Sequence, residues 1–155
     1  MEFILFLSKL DKDILNLLIK ANYIVEENKI ECLKNKELMG GHIFKENKII
    51  ICTENAKRKT NYRNIKKHQN EKNFKTELAI SRALRHEATH AVQKCNNNKT
   101  IWDIEYLENK LHPSKRKALA FSTSNFAGKY EKEVEAYILE YKPKKVKNLI
   151  KKYCL

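Results

Sequence analysis

Apolar residues recur at helical spacing near the start of the chain and through its second half. The segment DKDILNLLIKAN, beginning at Asp11, places Ile14, Leu17 and Leu18 on one helix face and has acidic residues in its first turn. A strong pattern predicts a helix over residues 75–94, with Thr76 as its N-cap. Further helices are predicted over residues 101–111, 113–121, 126–141 and 143–153. We therefore expect a helical C-terminal half.

Between the first helix and the long one, short apolar runs predict two or three strands. They cover residues 29–33, a segment around 42–44, and residues 48–52, with a polar turn joining the last two. Gly40 and Gly41 precede the second run, where glycine permits close backbone approaches. The basic segment at about 56–75 lacks apolar periodicity, so we expect an exposed loop that can be shortened without unfolding the domain. Residues 1–155 are predicted to form one α+β domain with a small N-terminal sheet.

The composition indicates a folded domain rich in lysine. Hydrophobic residues make up 42% of the chain and charged residues 33%. The net charge of +13 lies in two segments, residues 56–75 with +7 and residues 141–155 with +6. Lysine outnumbers arginine 27 to 5, which favours compositional drift and solvation over a nucleic-acid footprint. Nucleic acid is therefore the less favoured class of partner.

The chain start and the cysteines bear on the compartment. The start MEFILFL has Glu2 in place of a basic region, and no run approaches the ~18–20 apolar residues of a membrane span. The four cysteines, Cys32, Cys52, Cys95 and Cys154, form no C-x-x-C pair and indicate neither a zinc ribbon nor a dense disulfide framework. We expect a soluble, unexported, cytoplasmic protein without membrane insertion.

The segment LRHEATHAVQKC, residues 84–95, contains the pattern H-E-x-x-H. His86 and His90 are four residues apart and share one helix face, with Glu87 beside them. The apolar side of the helix lies opposite and consists of Leu84, Ala88, Ala91 and Cys95. Composition alone would produce the pattern in roughly one or two per cent of such chains. Two imidazoles and a nearby carboxylate predict a site for one zinc ion.

An open zinc site needs a third protein ligand, and the segment GKYEKEVEAYILEY at residues 128–141 is the best source. On a helical wheel Glu133 lies at the edge of an arc of aromatic and aliphatic residues, so we favour it. Glu135, at the other side of the arc, and Glu140 are alternatives. The competing interpretation is that these glutamates are solvated helix surface.

Four features of the chain occur together in one known family: Gly40-Gly41, a strand ending at Cys52, His86-Glu87-His90 followed by Cys95, and Glu133 to Ala136. In these features the chain resembles the mitochondrial inner-membrane metallopeptidase that processes an ATP synthase subunit, with its small bacterial and viral relatives. The resemblance covers roughly residues 40–140 and about ten positions. It implies a minimal zincin-like domain in which the sheet packs on the metal-binding helix. Gln93 stands where the family has an acidic residue.

The resemblance also gives Cys52 and Cys95 a place between the sheet and the metal-binding helix. They are either buried thiols, which a reducing cytoplasm favours, or a disulfide.

The zinc-peptidase hypothesis assigns roles to further residues. Zinc activates a water, Glu87 takes its proton and passes it to the leaving amine, and the substrate is a peptide or protein. The strand beside the metal helix pairs with extended substrate in other zinc peptidases, so the expected platform is Ile49, Ile50, Ile51 and Cys52. Candidate donors to the oxyanion are Tyr137, Tyr130 and His112.

Two rival hypotheses belong to other functional classes. A nucleic-acid-associated protein guided by the two basic segments would bind DNA in a strongly salt-dependent way. A non-catalytic module, such as an antagonist of a repressor, would keep the metal site for stability, and its function would not depend on Glu87.

Overall fold

The computed structural model describes residues 1–62, 70–125 and 130–155, and it confirms an α+β fold. Its helices and strands are α1 (Lys9–Lys20), β1 (Ile24–Glu27), α2 (Ile30–Lys34), β2 (Gly40–Ile43), β3 (Lys48–Ile51), α3 (Thr53–Lys59), α4 (Asn70–Cys95), α5 (Ile104–Glu108), α6 (Arg116–Asn125), α7 (Tyr130–Leu139) and α8 (Pro143–Tyr153). Short 3-10 turns cover Glu2–Phe6, Phe44–Glu46 and Pro113–Lys115.

The sheet has three strands in the order β1-β3-β2. Strand β3 is central, parallel to β1 and antiparallel to β2, with Gly40 opposite Ile51. Because β3 is covered on both faces, its three isoleucines are nearly completely buried. Strand β2 lies at one edge and β1 at the other, so only these two strands leave a side of their backbone unpaired within the sheet.

The strand predicted at residues 29–33 is wrong, because Ile30–Lys34 forms helix α2. Strand β3 pairs with β1 as well as with β2, and the sequence analysis missed β1. Asn28 ends β1 in a left-handed conformation, with φ of 51°, and its N–H donates to the Ile51 carbonyl. That turn sends the chain away from the sheet edge and into α2.

Helix α4 is the central element of the fold. It packs on α1, α7 and α8 and on the sheet. Its apolar side, predicted opposite the histidines, is confirmed as core, since Leu84, Ala88 and Ala91 are fully buried. Helix α8 matches its predicted range and contributes Val146 and Ile150 to the same core. A second apolar cluster joins α5, α6 and α7 through Leu107, Leu119, Val134 and Ile138.

The cysteines form two disulfides, Cys32–Cys52 and Cys95–Cys154. The preferred prediction of buried free thiols and the alternative Cys52–Cys95 pair are therefore both wrong. Helix α2 brings Cys32 to the end of β3, with a Cα–Cα distance of 5.4 Å, and α8 ends beside the end of α4, where Cys95 and Cys154 are 5.3 Å apart. Both separations suit a disulfide.

The described parts of the basic segment are more ordered than predicted. Residues 56–59 complete α3, where Ala56 is buried, and α4 already begins at Asn70, before the predicted start. Thr76 is consequently not an N-cap; it is buried within α4, and its hydroxyl lies 2.6 Å from that of Thr60. The loop prediction is wrong at these residues, while residues 63–69 lie outside the described part. The first residues of the predicted 126–141 helix also lie outside it.

The C-terminal basic segment is partly engaged within the fold. Lys147 contacts the Asp13 carboxylate at 2.7 Å, and the Lys145 ammonium lies 4.1 Å from the Trp102 ring centroid. Among the described residues, no helix is long and apolar enough to cross a membrane.

Candidate metal centre

Three side chains converge on one point between α4 and α7. The Nε2 atoms of His86 and His90 lie 3.3 and 3.2 Å from the two carboxylate oxygens of Glu133, and 3.2 Å from each other. One ligand atom from each residue can be chosen so that all three lie within 4.8 Å of one another. Helical spacing aligns the histidines on α4, and α7 supplies the carboxylate to the same face. This group could hold a metal ion.

The donor set fits a metal that accepts imidazole and carboxylate ligands. Two imidazole nitrogens and one carboxylate are three protein ligands, which is the number that open catalytic zinc sites use. All three side chains are mostly buried, with 10 to 15% of each exposed. Three electron-pair donors held this close repel one another unless a proton or a cation lies between them.

The pKa values of His86 and Glu133 reflect the need for a proton or a cation between the converging atoms. Burial alone would lower the pKa of His86, but the Glu133 and Glu140 carboxylates favour the protonated ring and raise its pKa to about 10. Burial alone would raise the pKa of Glu133, but hydrogen bonds with His86 and His90 hold it well below its usual range. Protonated imidazole therefore balances the carboxylate when no metal is bound.

Gln93 fixes the orientation of His90. Its side-chain nitrogen donates to the Lys132 carbonyl at 3.0 Å and to Glu135 Oε2 at 2.8 Å. Its oxygen therefore faces His90 Nδ1, at 2.8 Å, and accepts a hydrogen bond from it. A proton on Nδ1 leaves the Nε2 lone pair directed at the site, which is the tautomer a metal requires.

Glu135 and Glu140, the alternative ligands, occupy other positions. Glu135 is fully buried and accepts from the backbone N–H groups of Ile101 and Trp102, at 2.7 and 3.1 Å, so it anchors Gln93 and does not reach the site. Glu140 contacts Lys115 at 2.5 Å and lies 3.7 Å from His86 Nδ1. It is near His86 on the side away from Glu133.

Glu87 is a buried carboxylate beside the converging group. It is 6% exposed, and burial raises its pKa although the nearby imidazoles oppose the shift. No donor among the described residues hydrogen-bonds its carboxylate. Gly40 lies against it: a Cβ there would be 3.0 Å from Glu87 Cγ and 3.2 Å from the Ile50 carbonyl oxygen. The missing side chain at Gly40 makes room for Glu87.

His42, on β2, is a neighbour that the sequence analysis missed. Its ring lies parallel to that of His90, with centroids 6.5 Å apart. Its Nε2 is buried without a hydrogen-bond partner in the described part of the chain. Burial, followed by the nearby His90 and Lys94, lowers the pKa of His42 to about 3, so the ring is neutral.

The site lines a cleft of about 1280 Å³ bordered by β2, α4, α7 and the start of α6. The predicted platform on β3 is wrong, because that strand is paired on both sides and Ile49, Ile50, Ile51 and Cys52 are buried. The strand edge beside the cleft is β2, Gly40–Ile43. Sheet order depends on distant pairings that a local pattern does not contain.

The three residues predicted as donors to the oxyanion lie in different places. Tyr137 lines the cleft, and its ring centroid is 4.5 Å from that of His86. Tyr130 is exposed beside Glu108, and His112 is exposed at the turn before α6, where it accepts from the Ser114 N–H. Neither of these two side chains lines the cleft.

A family model described as "Domain of unknown function (DUF8637)" matches residues 3–155. The chain belongs to this family. No curated protein and no solved structure is significantly similar to it.

Sequence reasoning missed two contributors to the centre of this DUF8637 domain, Gln93 and His42. Gln93 had a usable signal, since it follows His90 by three residues and so lies on the same side of the helix. His42 had none, because only the fold brings β2 beside α4.

Proposed function

We propose that this DUF8637 domain is a zinc-dependent metallopeptidase, as the family resemblance implied. The observation that carries the proposal is the convergence of His86, His90 and Glu133 in an open cleft, beside a buried Glu87 that no described residue hydrogen-bonds. Structural zinc sites are closed by four protein ligands, whereas three ligands and an adjacent carboxylate suit hydrolysis.

Zinc bound by these side chains would supply the Lewis acidity that makes a water nucleophilic and polarises a peptide carbonyl. Glu87 acts as the proton acceptor. Burial raises the pKa of Glu87 more than the nearby imidazoles lower it, and no donor among the described residues hydrogen-bonds its carboxylate, so this group is more basic than a solvated glutamate. The same group then returns the proton to the leaving amine.

Residues around the ligands hold the catalytic geometry. Gln93 fixes the tautomer of His90 through the 2.8 Å hydrogen bond, and Gly40 leaves the space that Glu87 occupies. An extended peptide pairs with the outer edge of β2, which is open toward the cleft. Tyr137 is the one candidate oxyanion donor whose side chain lies within that cleft.

Glu87→Gln tests the proposal because it keeps the shape of the side chain and removes the proton acceptor. We expect cleavage of unfolded casein by the zinc-loaded protein to fall by about 10²–10⁴-fold, the usual effect of losing a general base. Zinc content, measured by elemental analysis, should equal that of the wild type. Glu37→Gln is the matched control: Glu37 lines the same cleft but pairs with Lys59 at the surface, and its loss should leave the rate within about twofold.

Two results would contradict the mechanism. A Gln variant that cleaves at the wild-type rate would place the base elsewhere, and one that loses zinc with its fold would make Glu87 structural. A wild-type protein that binds zinc but cleaves no protein would favour the non-catalytic module.

A further inference from the structure

Arg82 lies in the wall of the cleft, one helical turn before His86 on α4. Residues four apart on a helix have Cβ atoms ~6 Å from each other, so the two side chains are neighbours on one face. Arg82, His86 and His90 thus follow one another along the cleft. The metal centre described above does not use Arg82.

The guanidinium of Arg82 is held in place but has no anionic partner among the described residues. It stacks on the Tyr141 ring, with its central carbon 4.4 Å from the ring centroid. Its Nε is buried and makes no hydrogen bond to any described residue. Arginine cannot lose its charge at ordinary pH, and a partly buried guanidinium favours a carboxylate that can bond to its fork.

Five glutamates line the cleft, and three of them contact other groups. Glu140 contacts Lys115 at 2.5 Å, Glu37 contacts Lys59 at 3.3 Å, and Glu133 faces the two histidines. Lys75 and Lys117 line the same cleft and add positive charge. None of the five glutamates forms an ion pair with Arg82, so no acid of the described cleft wall balances the guanidinium charge.

We infer that Arg82 forms a subsite for a carboxylate of the peptide substrate, either an acidic side chain or a C-terminal carboxylate, close to the bond that is cut. Tyr141, Lys115 and Glu140 lie between the subsite and the centre. The Tyr141 ring that holds Arg82 also lies 5.6 Å from the Lys115 ammonium, and Lys115 pairs with Glu140 beside His86. The inference rests on the proposed peptidase function, whose substrate class it narrows to peptides with a carboxylate near the cleavage point.

The test measures binding of three fluorescein-labelled decapeptide pools, degenerate over uncharged residues except at one central position. One pool has Glu there and a C-terminal amide, the second has Gln and an amide, and the third has Gln and a free C-terminal carboxylate. Anisotropy titrations use the zinc-treated Glu87→Gln protein, so that cleavage does not consume the probe. We expect one carboxylate-bearing pool to bind roughly tenfold more tightly than the neutral pool, since a charge-assisted hydrogen bond contributes about that much.

Arg82→Gln in the same background should abolish the preference, so that the pools bind equally. Lys117→Gln is the matched control, because it removes one positive charge from the same cleft at an exposed position, and it should change the preference by less than about twofold. Arg82→Lys keeps the charge without the planar fork and should retain only part of the preference. It serves as the test variant if thermal melts show that Arg82→Gln unfolds.

The result separates this inference from the proposed function. Equal binding of all three pools by protein with native Arg82, or a preference that survives in Arg82→Gln, overturns the subsite. An Arg82-dependent preference in a protein whose wild type cleaves no peptide supports the subsite and contradicts the peptidase. A Glu-pool preference identifies a side-chain carboxylate, and a preference for the third pool identifies a C-terminal one.

Discussion

Helix α4 carries two buried polar clusters on consecutive residues, and they differ in how their charges are balanced. In the first, Arg85 donates to Asp11 through Nε at 2.6 Å and Nη2 at 2.8 Å, and to the Glu140 carbonyl at 3.1 Å. Ser8 adds a hydrogen bond to Asp11 at 2.6 Å. Asp11 is completely buried, yet its negative charge is matched by a permanent cation with bidentate geometry.

In the second cluster, the positive charge near Glu133 and Glu87 comes from the imidazoles of His86 and His90, and this charge depends on a proton. Both imidazole Nε2 atoms point at the Glu133 carboxylate, and no lysine or arginine of the described residues pairs with Glu133 or Glu87. The first cluster balances its own charge and connects α1 and α4 with the turn after α7. The second cluster brings metal-ligand atoms together without a permanent cation, so it is suited to bind a metal cation. The first cluster therefore has a structural role, and the second is the one to which we assign a function.

The largest expected effect on stability comes from breaking the first cluster. Asp11→Ala leaves Arg85, whose side chain is 12% exposed, without its anion. Removing one member of a buried ion pair costs about 3–5 kcal/mol. Urea unfolding at neutral pH should show that loss in the free energy of unfolding, and a loss below about 1 kcal/mol would mean that the pair is not a structural connection.

The pH dependence of the same variant is an internal control. Although burial opposes the shift, hydrogen bonds from Arg85 and Ser8 lower the pKa of Asp11 from its ordinary 3.8. A carboxylate with a lowered folded-state pKa stabilises the fold above its unfolded pKa and loses that contribution as the pH falls. The difference between wild type and Asp11→Ala should therefore be complete at neutral pH and shrink below about pH 4. A difference that does not change with pH would exclude the charge as its cause.

A substitution in the second cluster should change the zinc affinity more than the stability of the fold. Gln93→Leu removes the acceptor from His90 Nδ1 and frees the ring to adopt the wrong tautomer. Loss of such a supporting hydrogen bond typically weakens metal binding by about 10–100-fold. Competition with a chromogenic chelator measures the zinc dissociation constant. Unchanged affinity would show that His90 does not bind the metal through Nε2.

A smaller effect is expected at Gly40, which lies against Glu87. Gly40→Ala puts a Cβ 3.0 Å from Glu87 Cγ, so the carboxylate must shift by a few tenths of an ångström. We expect casein cleavage to fall about tenfold with zinc content unchanged, because small displacements of a catalytic group are costly. At Gly41, the matched control, the nearest atom would be 4.0 Å away, and Gly41→Ala should retain its rate. Equal effects at both glycines would contradict the close approach to Glu87.

The parts of the molecule that could be predicted from sequence are those whose signal is local and long. The 3.6-residue period placed α8 over its full range and the histidines opposite the Leu84–Ala88–Ala91 side of α4. Residues 29–33 were predicted as a strand because five residues are too few to separate a period of two from one of 3.6. Strand β1 was missed because two of its four residues are glutamates, which are depleted in strands.

The remaining errors concern pairings between distant segments. Neither the central position of β3 nor the partners Cys32–Cys52 and Cys95–Cys154 can be read from spacing, since each depends on how elements pack. The predicted start of α4 is too late because threonine is a common N-cap residue. The Thr76 hydroxyl instead shares a hydrogen bond with that of Thr60. Glu133 and Glu135 are two residues apart on α7, so they point to different sides of the helix. Glu135 accepts hydrogen bonds from the backbone N–H groups of Ile101 and Trp102, and the sequence does not show that these groups lie beside α7.

Elemental analysis of the purified protein is the most direct test of the claim that the second cluster binds zinc. The wild type should carry one zinc per chain, and His86→Ala should carry close to none because two ligands do not hold the ion. His112→Ala is the control, since His112 is an exposed histidine outside the cleft, and it should keep one zinc per chain. Negligible zinc in the wild type after purification in zinc-containing buffer, or equal zinc in wild type and His86→Ala, would contradict the account.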